Sequence, residues 1–339
     1  MSSLAVKYRP QRWVDVVEQS NVVRILEQQI KTKDFKNAYL FAGASGCGKT
    51  TNARLFANEI NEGVGYPIEL DCASNNGVDS VRALVKSAQE RSIDSTYKVI
   101  ILDECQNFSS SAWGALLKCI EETPKYTIFI FCTTDPQKVP NTILNRVQRF
   151  DFKKISTNGI VGRLEYICQK EGYQNYKESI EYIAKISGGC MRQAIALLEK
   201  CVSDNKILDI KNTLSVLGNY SYDVFFTLIN ATIDNDGQKV LKIIEYFYNN
   251  GNDLSVFVEQ YTAFTLDVAK YSLFKDCSTL TIPPIMEDKL KYTVGIDNAS
   301  AYFMKVIDKL LKLKQSLRND TDVKTTIEIT FLQICRCVW

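Results

Sequence analysis

The stretch GASGCGKT at residues 43–50 has the pattern Gly-x-x-x-x-Gly-Lys-Thr, which is typical of loops that bind nucleotide phosphates. The short apolar run Tyr39–Ala42 precedes it, and the segment TNARLFANEI that follows carries apolar residues at helical spacing. A strand before the loop and a helix after it are the context that this motif requires. The sequence therefore predicts a phosphate cradle rather than an unrelated glycine-rich turn.

The residue types in the loop suit that role. Glycine at positions 43, 46 and 48 lets backbone N–H groups approach phosphate oxygens, and the N-terminus of the following helix adds favourable partial charge. Lys49 would reach the β- and γ-phosphates, and Thr50 would supply an oxygen to Mg²⁺. The nucleotide-binding residues that we predict here are Gly43, Ala44, Ser45, Gly46, Cys47, Gly48, Lys49, Thr50 and Thr51.

The sequence VIILDE at residues 99–104 predicts the other side of the same site. Its apolar residues form a buried strand whose carboxyl end would point into the ligand crevice of a parallel sheet. Asp103 would lie where a hard cation binds, and Glu104 is placed to polarise the water that attacks the γ-phosphate. An isolated Asp-Glu pair can simply end a strand, but the presence of the phosphate loop favours the catalytic interpretation.

A third polar element ends the strand TIFIFC, where Thr133, Thr134 and Asp135 follow in sequence. A polar side chain at this strand end would lie beside the γ-phosphate and could orient the attacking water. Thr134 is the preferred candidate, although the sequence does not separate it from Thr133. Capping of the next element by Thr134 or Asp135 is the alternative.

Short apolar runs alternate with amphipathic helical segments up to about residue 155, and this predicts an α/β fold with a doubly wound parallel sheet. The runs are typical of parallel strands buried on both faces. The predicted strands are Tyr39–Ala42, Ile68–Cys72, Val99–Leu102 and Thr127–Cys132, and the segments between them include the helices Val78–Glu90 and Ser110–Glu122.

Beyond residue 156 the pattern becomes helical, with predicted helices at Ile160–Glu171, Lys177–Ile186 and Met191–Asn205. From about Tyr220 to Trp339 the sequence is aromatic, amphipathic and helical, interrupted by Pro283-Pro284. We predict three domains: an α/β nucleotide-binding domain at 1–155, a helical domain at 156–218 and an all-helical domain at 219–339.

Composition excludes several other classes of function. The chain of 339 residues has a formal net charge of +2, so any nucleic-acid contact must come from local placement of charge. It contains 11 scattered cysteines, no C-x-x-C pair and no histidine, which argues against a zinc site and excludes Ser-His-Asp catalysis. No apolar run is long enough to cross a bilayer, so we expect a cytoplasmic protein without a membrane partner.

Three segments resemble the ATPase subunits of sliding-clamp loaders, which belong to the AAA+ superfamily. The likeness is greatest to the gamma/tau subunit of bacterial DNA polymerase III, and it runs from about Tyr8 to Leu198. More faintly, KTTIEITFLQI (324–334) resembles the last helix of that subunit's collar. The three segments are AYLFAGASGCGKTTNARLFA (38–57), DECQNFSSSAWGALLKCIEETP (103–124) and TTDPQKVPNTILNRVQRF (133–150).

This resemblance implies roles for further residues. Arg146, in Asn145-Arg146-Val147, matches the arginine of a Ser-Arg-Cys motif that reaches into the ATP site of the neighbouring subunit. Capping of a helix end by an exposed arginine is the alternative. Arg192 matches a second sensor that contacts the γ-phosphate of its own subunit, and Lys118 would act across the subunit interface. The segment that matches the adenine-wrapping part of the family consists of Tyr8, Arg9, Pro10, Val16 and Val17.

The sequence also departs from the family pattern. The family's four-cysteine zinc module is missing, because Asn61 leads straight into EGVGYPIELD, so we expect no zinc. Glu18 stands where a glycine usually follows the two valines, which affects the detail of the adenine pocket. Asn75 and Gly77 replace basic residues, and the DNA contacts that remain predicted are Asn76 and Arg82. We also expect the chain to lack the C-terminal tail of the tau form.

The resemblance implies an ATP- and Mg²⁺-dependent clamp-loader subunit with an AAA+ ATPase domain, a lid and a collar. It would open a sliding clamp and close it on primer–template DNA, with DNA stimulating ATP hydrolysis. Its partners would be other loader subunits in a ring, expected to be a pentamer, of identical or related chains. The runner-up is an AAA+ branch-migration or remodelling motor, and a non-hydrolysing scaffold is the weakest alternative. A viral source, with the host cytoplasm as its location, fits the missing zinc module.

Overall fold

The computed structural model of the chain describes residues 3–202, 206–217, 222–277, 279–283, 286–317 and 322–336. The chain divides into two compact units. The first contains the described residues up to Gly172 together with Ile183–Glu199, and the second contains Tyr173–Tyr182 and the described residues from Lys200 onwards. The three-domain division with boundaries at 155 and 218 stays a prediction, and residue 218 lies outside the described ranges.

The first unit contains a five-stranded sheet with the order β2-β3-β4-β1-β5, in which every pair of neighbours is parallel. Parallel neighbours require crossover connections, and helices supply them. This confirms the predicted α/β class with a doubly wound parallel sheet. The strands are β1 (Ala38–Gly43), β2 (Ile68–Asp71), β3 (Lys98–Asp103), β4 (Thr127–Thr133) and β5 (Gln148–Phe152).

Helices precede, connect and follow these strands. Two of them begin with a serine whose hydroxyl accepts a backbone N–H: Ser109 caps α5 and Ser156 caps α7. The helices up to residue 201 are α1 (Leu4–Lys7), α2 (Ser20–Thr32), α3 (Lys49–Ile60), α4 (Val78–Ala88), α5 (Ser110–Glu121), α6 (Asn141–Leu144), α7 (Thr157–Glu171), α8 (Lys177–Ile186) and α9 (Met191–Cys201). The helix predicted to reach Asn205 ends at Cys201, and Asn205 lies outside the described residues.

The sheet has a hydrophobic layer on each face because successive side chains of a strand point to opposite sides. In β4, Phe129 and Phe131 pack with residues of α4 and α5, while Ile128 and Ile130 pack with residues of α2 and α3. All seven residues of β4 are buried. Each large apolar side chain buried in this way contributes about 1.5–3 kcal/mol to stability, so the central strands hold the loops at their ends in fixed positions.

The two edge strands differ from the sequence prediction. The expectation that β2 is buried on both faces is wrong: β2 pairs only with β3, and Ile68 remains 37% exposed. Strand β5 was not among the predicted strands because it has no continuous apolar run. Its residues alternate instead, with Phe150 and Phe152 buried and Arg149 and Asp151 exposed, as expected of a half-buried edge strand.

The second unit is helical, and its described residues contain no strand apart from an isolated bridge between Gln174 and Ile207. Its core is aromatic, and Phe257, Tyr261 and Phe331 lie in mutual ring contact. Its helices are α10 (Ile210–Val216), α11 (Tyr222–Ile233), α12 (Gly237–Asn249), α13 (Leu254–Phe274), α14 (Glu287–Thr293), α15 (Ala299–Ser316) and α16 (Val323–Cys335). Tyr220, Pro284 and Trp339, which bound or interrupt the predicted helical region, lie outside the described residues. Among the helices of the described ranges, none combines the length and apolar character needed to traverse a bilayer.

Candidate functional site

The carboxyl ends of β1, β3 and β4 meet at one edge of the sheet because the three strands are adjacent and parallel. Gly43, Asp103 and Thr133 are the last residues of these strands. The loop from Ala44 to Gly48 connects β1 to α3 at this edge. Ligands of open α/β sheets bind at the carboxyl ends of the strands, so the fold brings the three predicted elements of the site together.

Two glycines of the loop are also required by their neighbours in the protein. A Cβ atom at Gly43 would lie 2.4 Å from the carbonyl oxygen of Phe152, and one at Gly46 would lie 2.2 Å from Cys190 Sγ. Gly46 has φ +68°, a left-handed conformation that glycine adopts without strain. Packing of the loop against β5 and the start of α9 therefore selects glycine, in addition to the predicted approach of phosphate groups.

Lys49 is the first residue of α3 and is only 6% exposed. Its Nζ donates to the carbonyl oxygens of Gly43 (2.8 Å) and Ala44 (2.9 Å), which stabilises the buried ammonium group. These contacts hold the charge at the loop, beside the backbone N–H groups at the start of α3. An anion in the loop would meet both the ammonium group and the helix N-terminus.

Thr50 and Asp103 form the candidate metal site. Thr50 Oγ1 donates to Asp103 Oδ2 at 2.8 Å, and Asp103 Oδ1 accepts the backbone N–H of Glu104 at 3.0 Å. A hydroxyl and a carboxylate that converge in this way are hard oxygen ligands of the kind that Mg²⁺ prefers. The residues present therefore fit the predicted metal.

Glu104 belongs to a hydrogen-bond network at the end of β4. Its Oε2 accepts from Thr134 Oγ1 at 3.2 Å and from the side-chain amide of Gln106. Thr133 is fully buried and its hydroxyl donates to Gln106 Oε1 at 2.8 Å. Of the two threonines that the sequence could not separate, Thr134 thus contacts the predicted base directly and Thr133 contacts it through Gln106.

A cavity of about 410 Å³ adjoins these residues, a size typical of small-molecule sites. It contains most of the predicted nucleotide-binding residues, including the adenine segment, the phosphate loop, the acidic pair and Arg192. The predicted residues that line it are Tyr8, Arg9, Pro10, Val16, Val17, Ser45, Gly46, Cys47, Gly48, Lys49, Thr50, Thr51, Asp103, Glu104 and Arg192. Gly43 and Ala44 contribute through their bonds to Lys49, and Thr134 through its bond to Glu104.

The N-terminal segment of the cavity wall is tied to helices α7 and α9. Arg163 Nη2 donates to the carbonyl oxygen of Tyr8 at 2.8 Å, and the backbone N–H of Leu4 donates to Glu199 Oε1 at 3.1 Å. Arg163 and Glu199 line the cavity but were not predicted from the sequence. In the sequence, each of them is only a polar residue on an amphipathic helix. That pattern does not distinguish a cavity wall from a solvent-exposed face.

Glu18 stands where the resembling family usually has a glycine, and its backbone and side chain show how a glutamate fits there. Its φ is 58°, the left-handed conformation that glycine favours. Its carboxylate accepts the backbone N–H of Ser156 at 3.1 Å and the Ser156 hydroxyl at 2.5 Å, next to the N-terminus of α7. Charge-assisted bonds at a helix N-terminus offset the cost of the backbone conformation.

Arg146 and Lys118, which the resemblance predicts to act across a subunit interface, lie outside the cavity lining. Arg146 Nη2 contacts Glu121 Oε1 at 2.5 Å, and its Nη1 donates to the Thr142 carbonyl oxygen at 2.7 Å. This guanidinium is therefore held by α5 and α6 of its own chain and is not placed at the chain's own phosphate loop. Lys118 is exposed on α5.

The two predicted DNA contacts are exposed at the start of α4. Arg82 pairs with Asp79 at 3.2 Å, one turn away on the same helix. The carbonyl oxygen of Asn76 accepts the backbone N–H of Ser109 at 3.4 Å, so the N-terminal ends of α4 and α5 lie next to each other. Adjacent helix N-termini favour contact with phosphate groups.

The cysteines near the site are poor nucleophiles. Burial raises the pKa of the Cys47 thiol despite the nearby ammonium group of Lys49, and burial also raises the pKa of Cys132. Within the described ranges, no group of three or more Cys, Asp or Glu side chains is placed to hold a metal ion. The expected absence of zinc stays a prediction.

Comparison with known proteins identifies homologues over almost the whole chain. The chain is 31% identical to the tau subunit of Bacillus subtilis DNA polymerase III over 97% of its own length and 62% of that protein. It is 32% identical to the gamma/tau subunit of Mycoplasma genitalium, covering 81% of this chain and 50% of that protein. It thus spans less than two thirds of the length of these relatives. A gamma subunit of Buchnera aphidicola (from Acyrthosiphon pisum) is 27% identical, with 99% of each chain covered.

Solved structures show the same fold at low identity. The RuvB Holliday junction branch migration motor of Thermotoga maritima matches with a TM-score of 0.52 and 19% identity, covering 67% of this chain and 79% of that chain. Such a likeness supports the predicted AAA+ fold and nothing more specific. A family model described as "DNA polymerase III, delta subunit" matches residues 66–156. With its phosphate loop, its acidic pair and a match over almost its full length, the chain is a homologue of DNA polymerase III gamma/tau subunits, as its sequence predicted.

Proposed function

We propose that the chain is an ATP-driven subunit of a sliding-clamp loader, which binds and hydrolyses ATP to open a clamp and close it on primer–template DNA. One observation carries the proposal: in a homologue of gamma/tau subunits, Lys49, the Thr50–Asp103 pair and Glu104 converge on one cavity. That convergence provides an anion cradle, ligands for a hard cation and a carboxylate base.

Each group has a distinct part in the proposed reaction. The loop N–H groups and Lys49 bind the β- and γ-phosphates, and Thr50 with Asp103 would hold Mg²⁺. When bound, Mg²⁺ neutralises charge that develops on the phosphate oxygens. Glu104 orients a water and accepts its proton, and Thr134 supports the carboxylate through its hydroxyl. Arg192 lines the cavity and would contact the γ-phosphate.

Arg146 would complete the site of a neighbouring subunit. Its side chain is 38% exposed, and its guanidinium is held by Glu121, away from the lining of its own chain's cavity. An arginine supplied from an adjacent subunit stabilises the charge of the transferring phosphoryl group. This division of the site supports a ring in which nucleotide binding controls the arrangement of subunits. We place the ring, expected to be a pentamer of identical or related chains, in the cytoplasm, or in the host cytoplasm for a viral source.

The branch-migration motor remains the second candidate because RuvB shares the fold. A motor of this kind usually carries a hairpin or pore loop inserted in the ATPase domain. Between residues 3 and 172 every strand pair is parallel, so this described region contains no β-hairpin. Together with the homologues, this favours the clamp loader.

The test is the rate of ATP hydrolysis by the purified full-length chain, alone and assembled with loader subunits from the same source. Each preparation is assayed without additions, with a sliding clamp and primed DNA, and with a branched DNA junction. We expect stimulation by the clamp and primed DNA together. Stimulation by the junction alone would support the motor, and absence of hydrolysis in every mixture would support the non-hydrolysing scaffold. Glu104→Gln, which keeps the shape of the side chain, is the control for contaminating ATPases.

A further inference from the structure

We infer that Gln106 positions the base of the ATPase site by clamping the carboxylate of Glu104 to the end of strand β4. This inference rests on the proposed hydrolysis of ATP, but not on clamp loading. It concerns a residue that neither the motifs nor the resemblance singled out. Gln106 contacts Glu104 and both candidate threonines through a single side-chain amide.

The orientation of the Gln106 amide is determined by its neighbours. Its Oε1 accepts from Thr133 Oγ1 at 2.8 Å and from the backbone N–H of Thr134 at 3.3 Å. A backbone N–H can only donate, so the oxygen must face it and the NH₂ group must face the other way. The NH₂ group consequently faces Glu104 Oε2 and lies 2.8 Å from Thr134 Oγ1.

The backbone around Gln106 is anchored from both sides. Gln106 lies in a 3-10 helix, Cys105–Asn107, directly after the acidic pair. Cys105 is fully buried and Phe108 is 6% exposed, and both pack in the hydrophobic layer next to β4. A short segment held by two buried side chains gives the amide little freedom to move away from the strand end.

The network selects one oxygen of the Glu104 carboxylate. Both donors, Gln106 Nε2 and Thr134 Oγ1, bond to Oε2. In the part of the chain that the structure describes, no donor contacts Oε1, and this oxygen is therefore the one that would accept a proton from water. Glu104 also has a φ of 52°, a left-handed conformation that is unfavourable for a non-glycine residue. Bonds to the strand end offset this cost and hold the carboxylate in one place.

The first experiment replaces Gln106 by leucine, which has a similar size but no hydrogen-bonding atoms. We expect kcat for ATP hydrolysis by the full-length chain to fall about tenfold or more, a part of what a positioned general base supplies. The KM and the dissociation constant for ATP should not change, because the phosphate loop is not altered. Gln137→Leu, which changes an exposed glutamine just beyond strand β4, is the matched control.

Three further variants separate positioning of the base from a general loss of structure. Thr134→Val removes the second donor to Oε2, and Thr134→Ser keeps it, so the serine variant should retain the activity that the valine variant loses. In a Glu104→Gln background, Gln106→Leu should lower the residual rate no further, because Gln106 acts through the carboxylate. A normal kcat in Gln106→Leu, or a raised KM with an unchanged kcat, would overturn the inference.

The outcomes for this inference and for the proposed function are distinguishable. If the wild-type chain hydrolyses ATP but a clamp and primed DNA do not stimulate it, clamp loading fails and the Gln106 comparison still stands. If no preparation hydrolyses ATP, the enzymatic proposal fails, and the contact is tested by NMR of side-chain amides. The Gln106 NH₂ signals, identified by their loss in Gln106→Leu, should shift in Glu104→Gln. Unshifted signals would contradict the clamp.

Discussion

Two aspartates in different units of the molecule show what separates a candidate site from a structural contact. Asp267 in the second unit is 2% exposed, and its Oδ2 accepts from the backbone N–H groups of Thr281 (2.7 Å) and Ile282 (3.2 Å) and from the Thr281 hydroxyl. Asp103 in the first unit lines a cavity and accepts one hydroxyl and one backbone N–H. Asp267 thus holds a loop in place through hydrogen bonds, while the carboxylate of Asp103 can still accept a bond from a ligand.

The same contrast extends to the surroundings of each aspartate. Lys49, Thr50 and Glu104 lie with Asp103 around one cavity at the strand ends. Asp267 lies on the buried face of the long helix α13, where its neighbours on that helix include aromatic residues such as Phe264 and Tyr271. A buried charge therefore indicates function only when further polar groups converge with it on accessible space. Substitutions at the candidate site and at Asp267 test that difference.

The largest effect concerns Arg146, which does not line the cavity of its own chain. We expect Arg146→Ala to lower ATP hydrolysis by the assembled ring about 10³-fold or more, which is the contribution of an arginine finger. Binding of ATP to the isolated chain should be unchanged because Arg146 does not line its cavity. Steady-state hydrolysis and ATP titrations measure the two quantities. Arg149→Ala, at a nearby exposed arginine paired with Asp151, is the control.

A loss of ATP binding by the isolated Arg146→Ala chain that is as large as the loss of hydrolysis by the ring would contradict a role in trans. It would place the arginine in the chain's own site. Equal losses in Arg146→Ala and Arg149→Ala would instead point to a general effect of surface charge in this region.

The second effect concerns the phosphate cradle itself. Replacement of Lys49 by alanine removes the ammonium group held by the loop carbonyls. We expect the rate of hydrolysis to fall about 10²–10³-fold, as for the loss of one preorganised charged donor. The substitution also removes the cost of desolvating a buried charge. We therefore expect thermal stability to fall much less than the rate of hydrolysis. Lys31→Ala, on the exposed end of α2, should leave both quantities unchanged.

The third effect tests the structural side of the comparison. Asp267→Ala leaves the N–H groups of Thr281 and Ile282 without their acceptor, which costs about 1–3 kcal/mol for a buried group. We expect lower hydrogen-exchange protection in α13 and in residues 279–283, with ATP hydrolysis by the chain unchanged. Asp253→Asn, which keeps an oxygen at the N-cap of the same helix, is the control. A loss of hydrolysis that parallels the loss of protection would show that the two aspartates are not separable in function.

The sequence was informative where one short segment contains both the signal and the structure. The phosphate loop and its flanks lie within residues 39–60, and Asp103 follows directly from its own strand. The contacts of Gln106 with Thr133 and Thr134 span 27 and 28 residues and depend on the pairing of β3 with β4. The register of that pairing cannot be read from the residue pattern of either strand alone. Strand β5 was missed for a different reason, because its buried and exposed residues alternate and it contains no continuous apolar run.

The smallest effect concerns the contact that restrains Arg146. Glu121 and Arg146 are 41% and 38% exposed, and such ion pairs are worth about 0.2–1 kcal/mol. To reach a neighbouring site, the guanidinium must give up this pair, and Glu121→Ala removes that cost. We expect ring hydrolysis to rise up to about fivefold, equivalent to 1 kcal/mol, and to rise less at high salt because the pair is then screened. Glu122→Ala changes the adjacent exposed carboxylate and should have no such effect. A fall in the rate would mean that Glu121 aligns Arg146 for its neighbour, since the same pair would then hold the guanidinium in its working position.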